Sequence, residues 1–278
     1  MSFLFDFHSH TRQQDGANTA REMVEAAIQK GLKIFGISEH SPRLPGYRYA
    51  DDPANEVRGL NGWTKFLLEI DDLKKEYADR IELLKGCEVD WLGEENLGWA
   101  KDLMSNGQFD YTIGSVHFLG DWGFDYEKDW LRGYKNFKSI EEIYQKYFEE
   151  YARMARLDLF DIGGHLDLIK KFNNQFPLPA ETDIFELARP ALDALADSKM
   201  VLEVSSAGLT KPCAEWYPSL DLLIAAREHG IPITFNSDAH STERIAENFA
   251  AAKDFAKSAG YAEATIFHQG GRREIIKI

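Results

Sequence analysis

Apolar residues fall into two rhythms along this chain. Short runs rich in Val, Ile and Phe recur, and amphipathic stretches with an apolar stripe at helical spacing follow them. Strands buried on both faces read as near-continuous apolar runs, whereas crossover helices show one apolar face. The runs predict seven strands: Phe3 to His8, Ile34 to Glu39, Ile81 to Trp91, Phe109 to Phe118, Leu159 to His165, Val201 to Ser205 and Pro232 to Asp238. Helices are predicted over Thr19 to Lys30, Trp63 to Ala78, Ile140 to Ala155, Ile184 to Ser198, Ser219 to His229 and Glu243 to Ser258.

Seven consecutive β/α units with right-handed crossovers close most readily into a TIM-like barrel one strand short. The expected class is α/β, a distorted (β/α)7 barrel, with an open doubly wound sheet as the alternative. No repeat or linker divides the chain, so residues 1–278 are read as one domain. The segments Ser41 to Gly62 and Leu119 to Ser139 are long, aromatic and turn-rich, as binding loops at a barrel rim would be.

Composition narrows the range of partners. With 46 Asp plus Glu against 32 Lys plus Arg, the net charge of −14 repels nucleic acids and anionic membranes. Two cysteines, Cys87 and Cys213, make no disulfide framework and suit a reducing compartment. The opening MSFLFDFHSH has neither the basic start nor the apolar length of a secretory signal, so a soluble cytoplasmic protein is expected.

Chemistry enters with the histidines. Six of the eight, His8, His10, His40, His117, His165 and His240, stand at or just past the end of a predicted strand. Asp15, Glu88 and Asp238 accompany them. In an extended chain residues i and i+2 point the same way, so His8 with His10, and Asp238 with His240, present paired donors. Imidazoles with carboxylates suit zinc, manganese or iron, and nine such donors exceed what one ion uses. Two or three divalent ions are expected, with Glu88 able to bridge two of them. A lone histidine at a strand end is commonly a satisfied polar group; six with three carboxylates on one rim ask for a shared cause. His229, before Gly230 at a helix end, and His268 are left outside the site.

The motifs Phe7-His8-Ser9-His10-Thr11, Ser38-Glu39-His40, Gly86-Cys87-Glu88-Val89-Asp90, Gly114-Ser115-Val116-His117-Phe118, Gly164-His165-Leu166-Asp167 and Asn236-Ser237-Asp238-Ala239-His240 occur in that order. The ordered set resembles the PHP (polymerase and histidinol phosphatase) family over almost the whole chain. The stretches 110–119, 164–172, 206–209 and 217–219 are similar to its histidinol-phosphatase branch. The resemblance implies a trinuclear site: His8, His10, Glu88 and Asp238 around one ion, Glu88, His117 and His165 around a second, Asp15, His40 and His240 around a third. It also places Lys170 and Lys211 where that branch carries phosphate-binding cations.

The activity implied is phosphate-monoester hydrolysis, L-histidinol phosphate to L-histidinol in histidine biosynthesis, by in-line attack of a metal-bound hydroxide. Glu88, Asp238 and His240 are the expected catalytic residues, and Lys170, Lys211 and Arg43 the expected substrate contacts, with Arg12 as a further cation. Glu39, Tyr47, Tyr49, Trp122 and Asp125 are candidates for the rest of the substrate, and Glu203 for the pocket wall. The partner is a small phosphorylated molecule; oligomeric state is left open. Two other readings stand beside this one: a PHP phosphoesterase of nucleotides or short oligonucleotides, and a metal-binding regulatory module without turnover.

Overall fold

The computed structural model describes residues 4–49 and 60–278. Its strands are β1 (Phe5–Asp6), β2 (Ile34–Ile37), β3 (Glu82–Asp90), β4 (Tyr111–Ser115), β5 (Phe118–Leu119), β6 (Trp122–Gly123), β7 (Ile162–Gly163), β8 (Val201–Ser205), β9 (Ile233–Asn236), β10 (Glu263–Phe267) and β11 (Arg273–Lys277). The helices are α1 (Ala20–Gln29), α2 (Leu60–Glu76), α3 (Leu97–Gly107), α4 (Glu127–Gly133), α5 (Ile140–Arg156), α6 (Ile184–Ala196), α7 (Leu220–Glu228) and α8 (Phe249–Ser258).

Seven strands form one parallel sheet in the order β1-β2-β3-β4-β7-β8-β9. Apart from the β5/β6 hairpin, that is chain order, with no reversal of the kind that defines a doubly wound sheet. The ends of the sheet also meet. The Ser9–Ala239 bridge joins the segments leaving β1 and β9, with His10 N donating to Ala239 O at 2.8 Å and Ala239 N to His8 O at 3.1 Å. The barrel is therefore nearly closed, as the strand pattern predicts.

Helix starts follow local chemistry. Thr19 caps α1 in a capping box with Glu22, Ser139 caps α5 through Glu142 N, and Asp183 caps α6 through Phe185 N and Glu186 N. The expected helix Glu243 to Ser258 begins only at Phe249. Its first residues spend their backbone groups elsewhere: Ala246 N donates to the Asp6 carboxylate at 2.9 Å, and the Lys30 ammonium donates to the carbonyls of Glu243 and Ile245.

Three further differences have physical causes. The stretch Leu119 to Ser139 is structured, holding the β5/β6 hairpin and α4, because Trp122 packs on Trp130 and its indole N–H donates to Asp129 O. The apolar stripe of α3 is short, so the pattern concealed it. The third is the antiparallel hairpin β10/β11, paired from Glu263↔Lys277 to Phe267↔Arg273. It seals the barrel floor, where Phe267 meets Phe7 and Tyr111 at ring distances of 5.4 and 5.9 Å, and His268 sits between Glu82 and Glu274. Tyr111 reaches the axis because Gly36 and Gly86 leave room; a Cβ on either would lie 2.0 and 2.3 Å from its ring or hydroxyl. Of the loop Ser41 to Gly62, residues 50–59 lie outside the described part. Among the described residues no helix is long and apolar enough to cross a membrane.

Candidate metal centre

Barrel closure assembles the first donors. Ser9 and Ala239 pair backbone to backbone across the seam, and Ser9 Oγ turns away to Gly36 O at 2.8 Å. The residues on either side, His8 and His10 on one strand, Asp238 and His240 on the other, therefore face the mouth. His8 and His10 are fully buried, with ring centroids 5.1 Å apart. Asp238 lies in the left-handed backbone region at φ 50°, beside Ser237, whose N–H and hydroxyl both donate to Asp6. Backbone strain of this sort persists where surrounding structure enforces it.

Glu88, from β3, stands at the centre. Its Oε2 lies 3.3 Å from His8 Nε2, 3.4 Å from His10 Nε2 and 3.0 Å from His40 Nδ1. Its Oε1 lies 3.5 Å from His117 Nε2 and 3.0 Å from His165 Nε2, and accepts from Ser115 Oγ at 2.6 Å. Five imidazoles from four different strand ends thus divide between the two oxygens of one buried carboxylate. Asp238 Oδ1 is 3.6 Å from His8 Nε2 and 3.2 Å from His10 Nε2. Asp15 Oδ2 lies 3.6 Å from His40 Nε2 and 3.2 Å from His240 Nε2.

The donors fit a group of divalent cations. His8 Nε2, His10 Nε2 and His40 Nδ1 are buried without a hydrogen-bond partner, although each lies within 3.4 Å of a Glu88 oxygen. A buried polar atom left unpaired is costly, and a metal ion satisfies several at once. Three sets have ligand atoms within 4.8 Å of one another: His8, His10 and Glu88; His40, Glu88 and His117; His10, Asp15, His40 and His240. This partition overlaps more than the one the family resemblance implies. His10 falls in two sets, as does His40, while His165 and Asp238 reach the cluster through Glu88 and through His8 and His10.

A second layer of carboxylates grips the rings from behind. Glu203 accepts from His8 Nδ1 at 2.6 Å, from His165 N at 2.8 Å and from Asn236 Nδ2 at 2.8 Å. Asp90 Oδ1 takes His117 Nδ1 at 2.5 Å, and Glu39 lies 3.3 Å from His10 Nδ1. Each carboxylate fixes a tautomer that leaves Nε2 free toward the cluster. Burial disfavours the imidazolium of His8, but Glu203, Glu88 and Asp238 outweigh it and hold the pKa well above the ordinary histidine value. His40 is raised likewise, burial again yielding to Glu88 and Asp15. Burial pushes the Glu88 carboxyl up, and His8, His40 and His117 bring it well below its usual range. The electrostatic content is plain: this many carboxylates require cations, protons or metal ions, among the rings.

The mouth above the cluster is a cavity of about 280 Å³, lined by Gln14, Arg43, Tyr49, Asp125, Tyr126, Leu168, Lys171, Lys211 and Tyr217 besides the candidate donors other than His8 and His10. Lys211 is in place; burial and the neighbouring Lys171 charge lower its pKa. Lys170 is not in the mouth, contrary to the sequence expectation. Its ammonium is spent on Asp167 at 2.8 Å, Glu215 at 3.0 Å and Trp216 O at 2.7 Å, and the following residue, Lys171, lines the cavity. The acidic residue three positions before Lys170 was the available signal. Arg43 lines the mouth, but its Nε donates to Asp90 Oδ2 at 2.7 Å and its guanidinium lies 4.8 Å over Tyr49, so it also braces His117 through Asp90. Tyr47 and Trp122 lie outside the cavity lining, Tyr47 donating to Leu92 O at 3.2 Å and Trp122 to Asp129 O. Arg12 is exposed and absent from the lining. The sequence reading missed Lys171 outright and gave no role to Asp90, whose i+2 spacing from Glu88 places it on the same face.

Comparison with known proteins gives a consistent picture. The sequence profile described as PHP domain matches residues 6–207. A Deinococcus radiodurans protein assigned as a histidinol-phosphatase is 35% identical over 271 residues, covering 97% of this chain and 98% of that one. The Bacillus subtilis histidinol-phosphatase is 30% identical over 248 residues, covering 84% and 92%. The crystal structure of a Lactococcus lactis histidinol phosphate phosphatase, complexed with zinc, L-histidinol and phosphate, superposes with a TM-score of 0.76 at 23% identity, covering 97% and 98% of the two chains.

Proposed function

The chain belongs to the PHP domain family, and from that premise we propose that it hydrolyses L-histidinol phosphate to L-histidinol and phosphate, with two or three divalent ions at the mouth. Zinc, manganese and iron all suit the donors. The observation that carries the reading is the placement of Glu88, with His8, His10 and His40 on one oxygen and His117 and His165 on the other. Relatives at 35% and 30% identity, bearing that activity in their names, support the substrate.

His8, His10, Glu88 and Asp238 would hold one ion, Glu88, His117 and His165 another, and Asp15, His40 and His240 a third. Bound divalent ions supply Lewis acidity, drawing charge from the phosphoryl oxygens and making the attacking water acidic near neutral pH. The protein's own residues do the rest. Glu88 keeps the donor groups at fixed separation, and Glu203, Asp90 and Glu39 keep the ring nitrogens aimed. Asp238 would orient the attacking water through its carboxylate, while its backbone carbonyl accepts from His240 Nδ1 at 3.0 Å and so turns His240 Nε2 toward Asp15; the proton leaves to solvent at the open mouth. Lys171 and Lys211 bind the outer phosphoryl oxygens, where charge stabilisation is most needed for a bond whose uncatalysed hydrolysis is extremely slow. A compact anion reaches this cationic pocket, while the acidic exterior disfavours a polynucleotide.

Phosphate release by the metal-loaded protein from L-histidinol phosphate, adenosine monophosphate and an aryl phosphate tests the reading. A preference of at least about tenfold in kcat/KM for the first is expected, one tenfold step being about 1.4 kcal/mol of transition-state binding. Comparable values for all three would point to a general phosphoesterase. No release from any by fully loaded protein would point to a regulatory module.

A further inference from the structure

Four carboxylates line the mouth: Asp15, Glu88, Asp125 and Asp238. Three are donors of the cluster. Asp125 is not; it sits in the segment between β6 and α4. The Tyr49 hydroxyl donates to its Oδ1, and the Lys171 ammonium lies 3.4 Å from its Oδ2. Tyr49 is itself clamped, with Arg43 over its ring at 4.8 Å and Phe118 stacked at 5.3 Å. Asp125 is thus an aimed, partly buried acid, 17% exposed, with capacity remaining, since a carboxylate offers about four lone-pair sites. Burial raises its pKa, yet Lys171 and His117 outweigh that and keep it ionised.

Its position relative to the cations matters. Lys211 and Lys171 line the same cavity as Asp125 and the donor cluster, and Lys171 stands beside Asp125 itself. In L-histidinol phosphate the primary ammonium is on the carbon next to the phosphorylated one. A phosphoryl group seated against the cluster and the two lysines therefore brings the ammonium toward the Asp125 side. We propose that Asp125 is the specificity-determining residue of the mouth, accepting the substrate's α-ammonium while Lys171 turns to the phosphoryl group. This rests on the activity proposed above.

Lys171 beside Oδ2 marks the place a cation takes. When phosphate draws Lys171 away, a substrate without an ammonium leaves the Asp125 carboxylate in want of a counter-charge, and a partly buried charge left unpaired is penalised. Selection against amine-free phosphates follows from the same residue that attracts the amine.

The test compares L-histidinol phosphate with imidazolylpropyl phosphate, the same molecule lacking the amine, on the metal-loaded enzyme. The wild type should favour the first by at least about tenfold in kcat/KM, the scale of one charge-assisted hydrogen bond. In Asp125→Asn this ratio should fall toward one, through a higher KM for histidinol phosphate. A wild-type ratio near one, or a variant that keeps the wild-type ratio, overturns the proposal. Asp125→Ser, read in the same way, covers an Asp125→Asn protein that does not fold. Wild-type enzyme that hydrolyses neither compound would refute the parent activity instead.

Discussion

The two ends of the barrel are made from the same strands and obey opposite rules. At the floor, β1 and the residue after it contribute Phe5 and Phe7, β4 contributes Tyr111, and the C-terminal hairpin inserts Phe267, all buried and packed ring to ring. A few residues further along, β1 leads to His8 and His10, β4 to His117, and the ring nitrogens point at carboxylates rather than carbon. The floor satisfies itself by burial of apolar surface, each aromatic contributing roughly 1.5–3 kcal/mol. The mouth does not: buried ring nitrogens without hydrogen-bond partners stand against a buried carboxylate, an arrangement that cations would complete. Phe267 belongs to the floor and takes part in none of the donor contacts, which allows each end to be broken without the other.

The largest effect should come from the centre of the mouth. Glu88→Gln should lower phosphate release at least about a thousandfold, beyond the cost of one lost charge-stabilising donor, and should lower the metal content found by elemental analysis. Retention of both would remove Glu88 from the cluster. At the floor, Phe267→Ala should cost about 3–5 kcal/mol in denaturant unfolding, while the folded fraction keeps its metal and its kcat/KM. Loss of metal from stable protein would show the two ends to be coupled after all. The smallest effect is a proton count. His8 and His40 have raised pKa values, so near pH 7 the metal-free cluster holds protons there. Ligation needs neutral rings, so loading should release protons at pH 7. Apparent affinity should rise with pH until the raised values are passed. Calorimetric titration in buffers of different ionisation enthalpy reads this directly, and zero release would contradict the electrostatic account.

The barrel was legible because buried parallel strands announce themselves as apolar runs; Val201–Ser205 is observed with the bounds the pattern gives it. The nine candidate donors stood out because they lie within or after such runs. What escaped depended on tertiary partners. The start of α8 was taken over by Asp6 and Lys30, which lie far away in the chain. The hairpin of 263–277 reads as a tail until Phe267 meets Phe7. Lys170 and Lys171 are adjacent and chemically alike, so only the burial of one against Asp167 separates them. Glu203 looks like a wall residue in sequence and proves to hold two donor segments at once, through His8 Nδ1 and His165 N.

Anomalous diffraction from crystals of the metal-loaded protein locates the ions themselves. At least two ion peaks are expected, with oxygens of the Glu88 carboxylate within about 2.0–2.2 Å of two different ions and imidazoles of His8 or His10 and of His117 or His165 completing them. Peaks confined to the surface, or a Glu88 carboxylate without an ion on either oxygen in fully loaded active protein, would contradict that arrangement.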